Sequence, residues 1–264
     1  NLGIPLEKAE ALMIRDHDET DGHGQHTSRT FHLADFFIDE NGDNDKVTAD
    51  LARILKLIFG NPYITPTFDE FAMFMAFTSS LRSADLSRQV GAVIAKDKRI
   101  ISTGANDVPT FGGGLYWPDL SAGGKEITDV DGGRDHTRGV DENVKQTNEL
   151  INEIVARFPE ELRTTASAIL SDSPIKNITE YGRVVHAEMD AILACARANE
   201  SAAGAALYST TFPCHNCAKH IIATGVRRVV YVEPYAKSKA LEFHDDAIVL
   251  GNPAEKIKDK VVFE

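Results

Sequence analysis

One histidine, one glutamate and two cysteines form the part of this chain best suited to chemistry. His186-Ala187-Glu188 is followed by Pro213-Cys214-His215-Asn216-Cys217. An imidazole and two thiols are ligands that zinc prefers, and three of them leave a tetrahedral ion one position short. A structural zinc normally has four protein ligands, whereas a catalytic zinc keeps one position for water. We therefore predict a catalytic zinc site held by His186, Cys214 and Cys217.

Glu188 stands two residues after the histidine and is expected to move the protons of the reaction. Zinc lowers the pKa of a bound water to roughly 7, and a carboxylate beside that water accepts its proton and passes it on. H-x-E followed by P-C-x-x-C is the signature of zinc-dependent nucleobase deaminases, in which the Glu is the acid/base and not a ligand. The expected reaction replaces an exocyclic amine by oxygen, as in the conversion of cytosine to uracil.

The C-x-x-C segment admits other interpretations. A thioredoxin-like redox pair needs the two cysteines alone and leaves His186 and Glu188 without a role. A closed structural zinc needs a fourth ligand; His215 and His220 are candidates by type, but we expect His215, between the two cysteines, to point away. A cysteine nucleophile needs a base and a group that orients it, and no such pair accompanies these cysteines.

The elements around the motif predict an α/β fold. We expect helices to begin near His186 and at Cys214, and strands at residues 205–210 and 228–233. Strand–helix–strand alternation places parallel strands in the second half, so the two helix starts meet at one edge of the sheet. A helix N-terminus also lowers the pKa of a thiol there, which favours the metal-binding thiolate.

Helical spacing of apolar residues predicts helices before this region as well. One is expected at residues 5–15 and another at residues 51–58. Thr67 begins a third helix with a capping box, and we expect its aromatic and methionine side chains, Phe71, Phe74 and Met75 among them, to pack in the core.

The middle of the chain predicts a β-hairpin followed by a long loop. Residues 90–95 and 99–103 are the two strands of the hairpin. Residues 108–141 are irregular and rich in glycine, with Tyr116 and Trp117 among the glycines. Because loops of this length inside a domain are usually functional or disordered, we interpret the segment as a lid or substrate loop.

Composition limits the classes of function. The 264 residues carry a formal net charge of -12, which disfavours an extended nucleic-acid surface. Three cysteines, two of them in the zinc motif, argue against a disulfide framework and for a reducing cytoplasm. We expect the third, Cys195, to be a buried small hydrophobe. No apolar run is long enough to span a membrane.

These motifs resemble the deoxycytidylate deaminase branch of the cytidine deaminase-like superfamily, and within it the anti-phage dCTP deaminases of bacteria. The resemblance implies a three-layer α/β/α sandwich with a mixed sheet, at residues 63–264, and a helical N-terminal extension at residues 1–62. The segments that carry it, besides the zinc motif, are Phe31-His32-Leu33-Ala34-Asp35-Phe36-Phe37, Ser87-Arg88-Gln89-Val90-Gly91-Ala92-Val93-Ile94, Thr103-Gly104-Ala105-Asn106, Gly112-Gly113-Gly114-Leu115-Tyr116-Trp117, Gly133-Arg134-Asp135 and Glu233-Pro234-Tyr235-Ala236-Lys237-Ser238.

The resemblance also implies roles for residues outside the zinc motif. Asn106 would hydrogen-bond the sugar 3′-hydroxyl. Arg88, Lys237 and Arg134 would meet phosphates, and Tyr235 would pack beside the base or sugar. A solvated surface charge remains the alternative for the three cations, and a turn residue is the alternative for Asn106.

The implied activity is hydrolysis of the cyclic amidine C–N bond of a deoxycytidine nucleotide, dCTP to dUTP and also dCMP to dUMP, which would deplete dCTP in anti-phage defence. A housekeeping dCMP deaminase supplying dUMP is the alternative; a polynucleotide deaminase and a non-catalytic nucleotide-binding module are weaker ones.

Expected partners are further copies of the chain, as a dimer or hexamer, and an inhibitory RNA or protein. The family pattern includes an N-terminal P-loop kinase-like domain, but no G-x-x-x-x-G-K-[ST] run occurs here. Residues 1–62 are therefore interpreted as a remnant of that domain or a linker from it.

Overall fold

The computed structural model describes residues 33–38, 43–121, 123–251 and 259–264. Backbone contacts divide the chain into two compact units, residues 1–65 and 66–264. In the first unit, helix α1 (Asn44–Ile58) begins at Asp43, whose carboxylate accepts hydrogen bonds from two backbone amides of the first turn. This confirms the helix predicted at residues 51–58. The helix predicted at residues 5–15 and the Phe31–His32 part of the first resemblance segment lie outside the described residues.

A six-stranded mixed sheet forms the centre of the second unit. The spatial order is β2 (Arg99–Ala105), β1 (Gly91–Lys96), β5 (Ala206–Thr211), β6 (Arg228–Glu233), β8 (Val261–Phe263) and β7 (Ile248–Leu250). β1 is antiparallel to both of its neighbours, whereas β5, β6, β8 and β7 run parallel to one another. The predicted hairpin is confirmed, because Asp97 and Lys98 take positive φ values and form the two-residue turn between β1 and β2.

Helices cover both faces of this sheet. Helix α2 (Phe68–Ser80) packs on one face, and helices α6 (Ala187–Arg197) and α7 (His215–Thr224) pack on the other. Neighbouring residues of β1 alternate between the two cores: Ala92 and Ile94 face α6 and α7, while Val93 and Ala95 face α2. The predicted three-layer α/β/α sandwich with a mixed sheet is confirmed.

The aromatic side chains of α2 depart from expectation. Its capping box between Thr67 and Glu70 forms as predicted, but its buried residues are Ala72, Ala76 and Ser80, and Phe71 and Phe74 remain 45% and 63% exposed. The reason is the close approach of α2 to β1: a methyl group on Gly91 would lie 2.5 Å from the backbone nitrogen of Ser80. Only small side chains fit between the two elements. The expectation of core packing was therefore wrong for Phe71 and Phe74, whereas Phe68 and Met75 of the same helix do pack against the core cluster on this face.

The remaining elements surround the long loop and the C-terminal strands. Residues 108–141, predicted as irregular, contain the short hairpin β3 (Asp119–Leu120) and β4 (Ile127–Thr128) and the one-turn helix α3 (Asp135–Arg138). Helices α4 (Glu142–Ala156) and α5 (Glu160–Ser171) follow, then a 3-10 turn (Pro174–Asn177), and α8 (Ala240–Phe243) comes after β6. None of the helices in the described ranges is long and apolar enough to cross a membrane.

Candidate active site

His186 and Cys214 occupy equivalent places at the starts of two helices. Each is the N-cap residue of its helix, α6 or α7, with an extended backbone and no hydrogen bond from its side chain to the helix amides. Cys214 follows the end of β5, and His186 follows Val185, which pairs with Asp107 just beyond the end of β2. Since β2 and β5 are both antiparallel to β1, their ends lie at the same edge of the sheet. The predicted meeting of the two helix starts is confirmed.

The three expected metal ligands come together at this edge. His186 Nδ1 lies 3.3 Å from Cys214 Sγ and 3.4 Å from Cys217 Sγ, and the donor atoms of all three residues lie within 4.8 Å of one another. Tetrahedral bonds of about 2.3 Å to sulfur and about 2.0 Å to nitrogen would place nitrogen and sulfur roughly 3.5 Å apart. The spacing and the donor types therefore fit a zinc ion.

No fourth ligand joins this group among the residues that the structure describes. The ring of His215 packs edge-on against Phe243, with centroids 5.6 Å apart, and His220 is exposed. Because neither histidine joins the group, a tetrahedral ion here would have three protein ligands and one position for solvent or substrate, as a catalytic site requires.

Glu188 lies in the first turn of α6 and is 4% exposed. Its Oε2 atom is 3.4 Å from the thiol of Cys217. Burial raises the pKa of this carboxyl group above its ordinary value, although the charge of His186 acts in the opposite direction. A buried carboxyl group next to the metal ligands lies where a group that exchanges protons with a bound water must be. This placement suits the proton transfer expected of Glu188.

Without a metal ion, the three ligand side chains have shifted pKa values, one lowered and two raised. Hydrogen bonds from Cys217 and His186 lower the pKa of Cys214 to about 4, and the hydrogen bond with Cys214 raises the pKa of His186 to about 9. The pKa of Cys217 is raised well above its usual value, first by its bond to Cys214 and then by burial. Zinc requires deprotonated ligands, so its binding at neutral pH displaces protons from His186 and Cys217.

Two of the residues expected to bind substrate, Arg88 and Tyr235, lie close to each other, and Tyr235 packs against the apolar cluster that Cys214 also contacts. The Tyr235 ring is half-buried in the apolar cluster that includes Cys214. Arg88 places its guanidinium 6.0 Å from the centre of that ring and 3.2 Å from the carboxylate of Glu233. Ser238 donates to the carbonyl oxygen of Pro213, which ties this segment to the cysteine motif. Arg88 therefore lies against a ring whose segment is tied to the cysteine motif, and contact of either side chain with a nucleotide stays a prediction.

The other three lie in different surroundings. Asn106 is 8% exposed; its amide oxygen accepts from Val90 N at 2.6 Å and its amide nitrogen donates to Arg88 O at 2.7 Å. Lys237 is exposed. Arg134 is 4% exposed and directed at protein groups. Contact of these three side chains with a nucleotide stays a prediction.

The sequence reasoning did not identify Asp107 and Asp190, two buried carboxylates that hold the site together. Asp107 accepts from Val108 N and Ala84 N, and Asp190, one turn after His186, accepts from Ala105 N at 3.3 Å. Both carboxylates thus join separate segments to the end of β2. A second acidic residue in the first turn of α6, followed by an apolar stretch, was the available signal for Asp190.

The fold and the His-Cys-Cys group with its neighbouring carboxyl group are those of the zinc-dependent nucleobase deaminases. Comparison with known proteins identifies the family within that class. A family model described as "Cytidine and deoxycytidylate deaminase zinc-binding region" matches residues 66–233, and the chain belongs to this family. The cytidine deaminase-like fold and zinc as the cofactor are thereby confirmed.

Individual relatives include phage enzymes. The chain is 32% identical over 174 residues to "Deoxycytidylate deaminase" of Enterobacteria phage T4, covering 62% of this chain and 77% of the phage protein. It is 29% identical over 166 residues to "Deoxycytidylate deaminase" of Mycobacterium phage D29, covering 63% and 94%. The apo crystal structure of dCMP deaminase from cyanophage S-TIM5 superposes with a TM-score of 0.40 at 18% identity, covering 75% of this chain and 98% of that one.

Proposed function

We propose that this protein deaminates deoxycytidine nucleotides, with Glu188 as the acid/base and His186, Cys214 and Cys217 as the zinc ligands. The observation that carries the proposal is the burial of the Glu188 carboxyl group within 3.4 Å of Cys217, beside a ligand group that has three protein donors. A site that only bound nucleotide would have no need for a buried carboxyl group at that position.

The chain's own residues account for the proton transfers. When bound, zinc acts as a Lewis acid and lowers the pKa of a water molecule. Glu188 accepts one proton of that water and delivers it to the pyrimidine ring nitrogen, while the water oxygen bonds to the ring carbon that carries the exocyclic nitrogen. Glu188 then takes the second proton, from the new hydroxyl group, and gives it to the exocyclic nitrogen. The bond from carbon to this nitrogen breaks, ammonia leaves, and the carbon keeps the oxygen as a carbonyl group. Neither oxidant nor cosubstrate other than water is consumed.

For the substrate we propose dCTP, with dCMP as a second substrate. Arg88 lies against the half-buried Tyr235 ring, and Lys237 and Lys239 follow Tyr235 in the chain. These three cations, of which Arg88 and Lys239 also pair with Glu233 and Glu242, are the groups available for the phosphates of a nucleotide. The resemblance of the segments outside the zinc motif to anti-phage dCTP deaminases supports the same choice. Removal of dCTP would then starve phage replication of a DNA precursor.

A second candidate is supply of dUMP from dCMP in nucleotide metabolism. The names of the relatives favour it, since the T4 and D29 proteins are both described as deoxycytidylate deaminases. The two functions differ in the number of phosphates that the pocket must hold.

One assay separates the candidates. The zinc-loaded protein is incubated with dCTP, dCMP, CTP and deoxycytidine, and ammonia and the uracil products are measured. We expect the highest kcat/KM for dCTP, and for Arg88→Met a loss that grows from deoxycytidine to dCTP. Activity confined to dCMP would reject the dCTP proposal, and no activity on any of the four would reject deamination of deoxycytidine nucleotides.

Assembly and regulation also belong to the proposal. We infer a homo-oligomer, dimer or hexamer, and an inhibitory RNA or protein as regulator in the cytoplasm. Light scattering of the purified chain measures the first of these, and a monomer at micromolar concentration would contradict it.

A further inference from the structure

Arg134 and Asp135 are neighbours of opposite charge that are both buried near the site, and the proposed reaction uses neither. Arg134 is 4% exposed and Asp135 is 6% exposed. Removing a charge from water costs several kcal/mol unless a partner compensates it, so two adjacent buried charges need a structural reason. We call this pair the charge clamp.

The guanidinium of Arg134 is surrounded by groups of the protein. Its Nη2 donates to the carbonyl oxygen of Tyr116 at 2.5 Å, and its Nη1 lies 3.2 Å from a carboxylate oxygen of Asp129. Its Nε lies 3.6 Å from Asp107 Oδ2. All three nitrogens therefore face protein groups, and Asp107 is itself 2% exposed.

Asp135 has a different partner. Its Oδ1 accepts from Arg183 Nη1 at 2.8 Å, and the same guanidinium donates through Nη2 to the carbonyl oxygen of Gly133 at 3.0 Å. The side chain of Arg183 is 24% exposed, so this pair is partly shielded from water. Besides the pair of Arg134 with Asp129 inside the long loop, this segment thus forms two ion pairs with different parts of the fold, one with Asp107 and one with Arg183.

Those two parts are the two sides of a single backbone bridge. Asp107 and Val185 exchange both of their backbone hydrogen bonds, at 3.2 and 2.9 Å. Arg134 contacts Asp107 on one side, and Asp135 contacts Arg183, two residues before Val185, on the other. The residue after Val185 is His186, and Glu188 follows within the first turn of α6.

We propose that Arg134 and Asp135 are positioning residues, which fix the segment that carries His186 and Glu188 against the end of β2. The expected loss of activity rests on the proposed function. The expected change in the geometry of the three metal ligands does not depend on it. The long glycine-rich segment, expected from the sequence to be a lid or substrate loop, would then also hold His186 and Glu188 in position.

The test uses the full chain with variants on both sides of the clamp. Arg134→Met removes the charge and keeps a side chain of similar volume. Arg134→Lys keeps the charge but lacks the several N–H donors of the guanidinium group. Asp135→Asn removes the charge that pairs with Arg183 without changing the size of the side chain. Arg99→Met is the matched control, since Arg99 pairs with Glu200 at 3.4 Å on the surface and its side chain is 70% exposed. Each protein is loaded with Co²⁺, whose visible spectrum reports ligand geometry, and is also assayed with zinc on deoxycytidine, dCMP and dCTP.

We expect Arg134→Met and Asp135→Asn to change the Co²⁺ spectrum and to lower kcat by roughly tenfold to a hundredfold, because ångström-scale misplacement of reacting groups has effects of that size. The decrease in kcat should be the same for all three substrates, and KM should be nearly unchanged. Arg134→Lys should lose less activity, and Arg99→Met should lose none.

Other outcomes contradict the proposal. A rise in KM that grows with the number of phosphates, with kcat and the Co²⁺ spectrum unchanged, would show that Arg134 binds phosphate. An unchanged spectrum and kcat in Asp135→Asn would overturn the clamp even if Arg134→Met fails to fold. If the unmodified chain turns over none of the substrates while the spectrum still depends on the clamp, the positioning role stands and the proposed function fails.

Discussion

Gly104, on β2, lies directly against the backbone of helix α6. A methyl group built on it would lie 2.5 Å from the backbone nitrogen of Ala191 and closer still to the carbonyl oxygen of Ala187, the residue between His186 and Glu188. Neither atom belongs to a flexible side chain that could turn aside. Gly104→Ala must therefore displace the helix that carries the zinc ligand and the carboxyl group.

The size of the effect follows from these distances. Ordinary contacts of a Cβ atom begin near 3.4 Å, so α6 must move by about 0.9 Å (3.4 − 2.5) or more at Ala191. Forcing a methyl group into a packed interior costs roughly 1–3 kcal/mol of the free energy of unfolding. A displacement of about 1 Å at the reacting groups lowers the rate by roughly a hundredfold. We therefore expect a stable but nearly inactive enzyme.

Thermal unfolding, zinc content and kcat on the preferred nucleotide together measure this prediction. Gly123→Ala is the matched control, because no atom lies within 4 Å of a methyl group there, and it should leave all three quantities unchanged. A Gly104→Ala enzyme with full kcat and unchanged stability would refute the reasoning that the contact between α6 and β2 sets the site.

Three further predictions concern single side chains. Glu188→Gln should lower kcat by roughly 10²–10⁴, the usual contribution of a general acid/base, with zinc retained and with the exposed Glu200→Gln as control; a loss below tenfold contradicts the assigned role. In the metal-free protein, alkylation of Cys214 by iodoacetamide should reach its maximal rate by about pH 6, because its pKa is lowered to about 4; a rate that still rises above pH 8 contradicts this. Arg228 holds the pKa of Asp69 below its ordinary value, so this carboxylate stabilises the fold above about pH 3.9 and the stability is lost as the pH falls through the lowered pKa. Asp69→Asn should thus reduce the free energy of unfolding by roughly 1 kcal/mol at pH 7, since the carboxylate is half exposed, and chemical denaturation should show the difference vanishing in acid; a difference independent of pH contradicts it.

Much of the architecture could be predicted because local signals and chemistry agreed. The capping box of Thr67 and the hairpin of residues 90–95 and 99–103 are short-range features, and each forms where expected. Cys195 is buried as predicted, 2% exposed, with its sulfur 3.1 Å from the hydroxyl oxygen of Ser102. The zinc motif predicted which residues of two helix starts would meet, since the ligand types and the crossover leave little freedom.

Features that depend on distant contacts were not predictable in this way. The short strand β8, Val261–Phe263, is paired only because β6 and β7 provide edges for it. Phe71 and Phe74 have the spacing of core residues, but the close packing of α2 against Gly91 excludes them. The partners of Arg134 lie up to 27 positions away, and nothing in the segment itself indicates whether its guanidinium faces a phosphate or Asp107.

X-ray absorption at the zinc edge tests the central claim most directly, namely that His186, Cys214 and Cys217 hold a catalytic zinc with one open position. The purified chain should contain one zinc ion with two sulfur neighbours at about 2.3 Å and two nitrogen or oxygen neighbours at about 2.0 Å, and Cys217→Ser should lose one sulfur neighbour or the metal. A protein that takes up no zinc, or an ion with four protein ligands that does not change when Cys217 is replaced, would contradict the account.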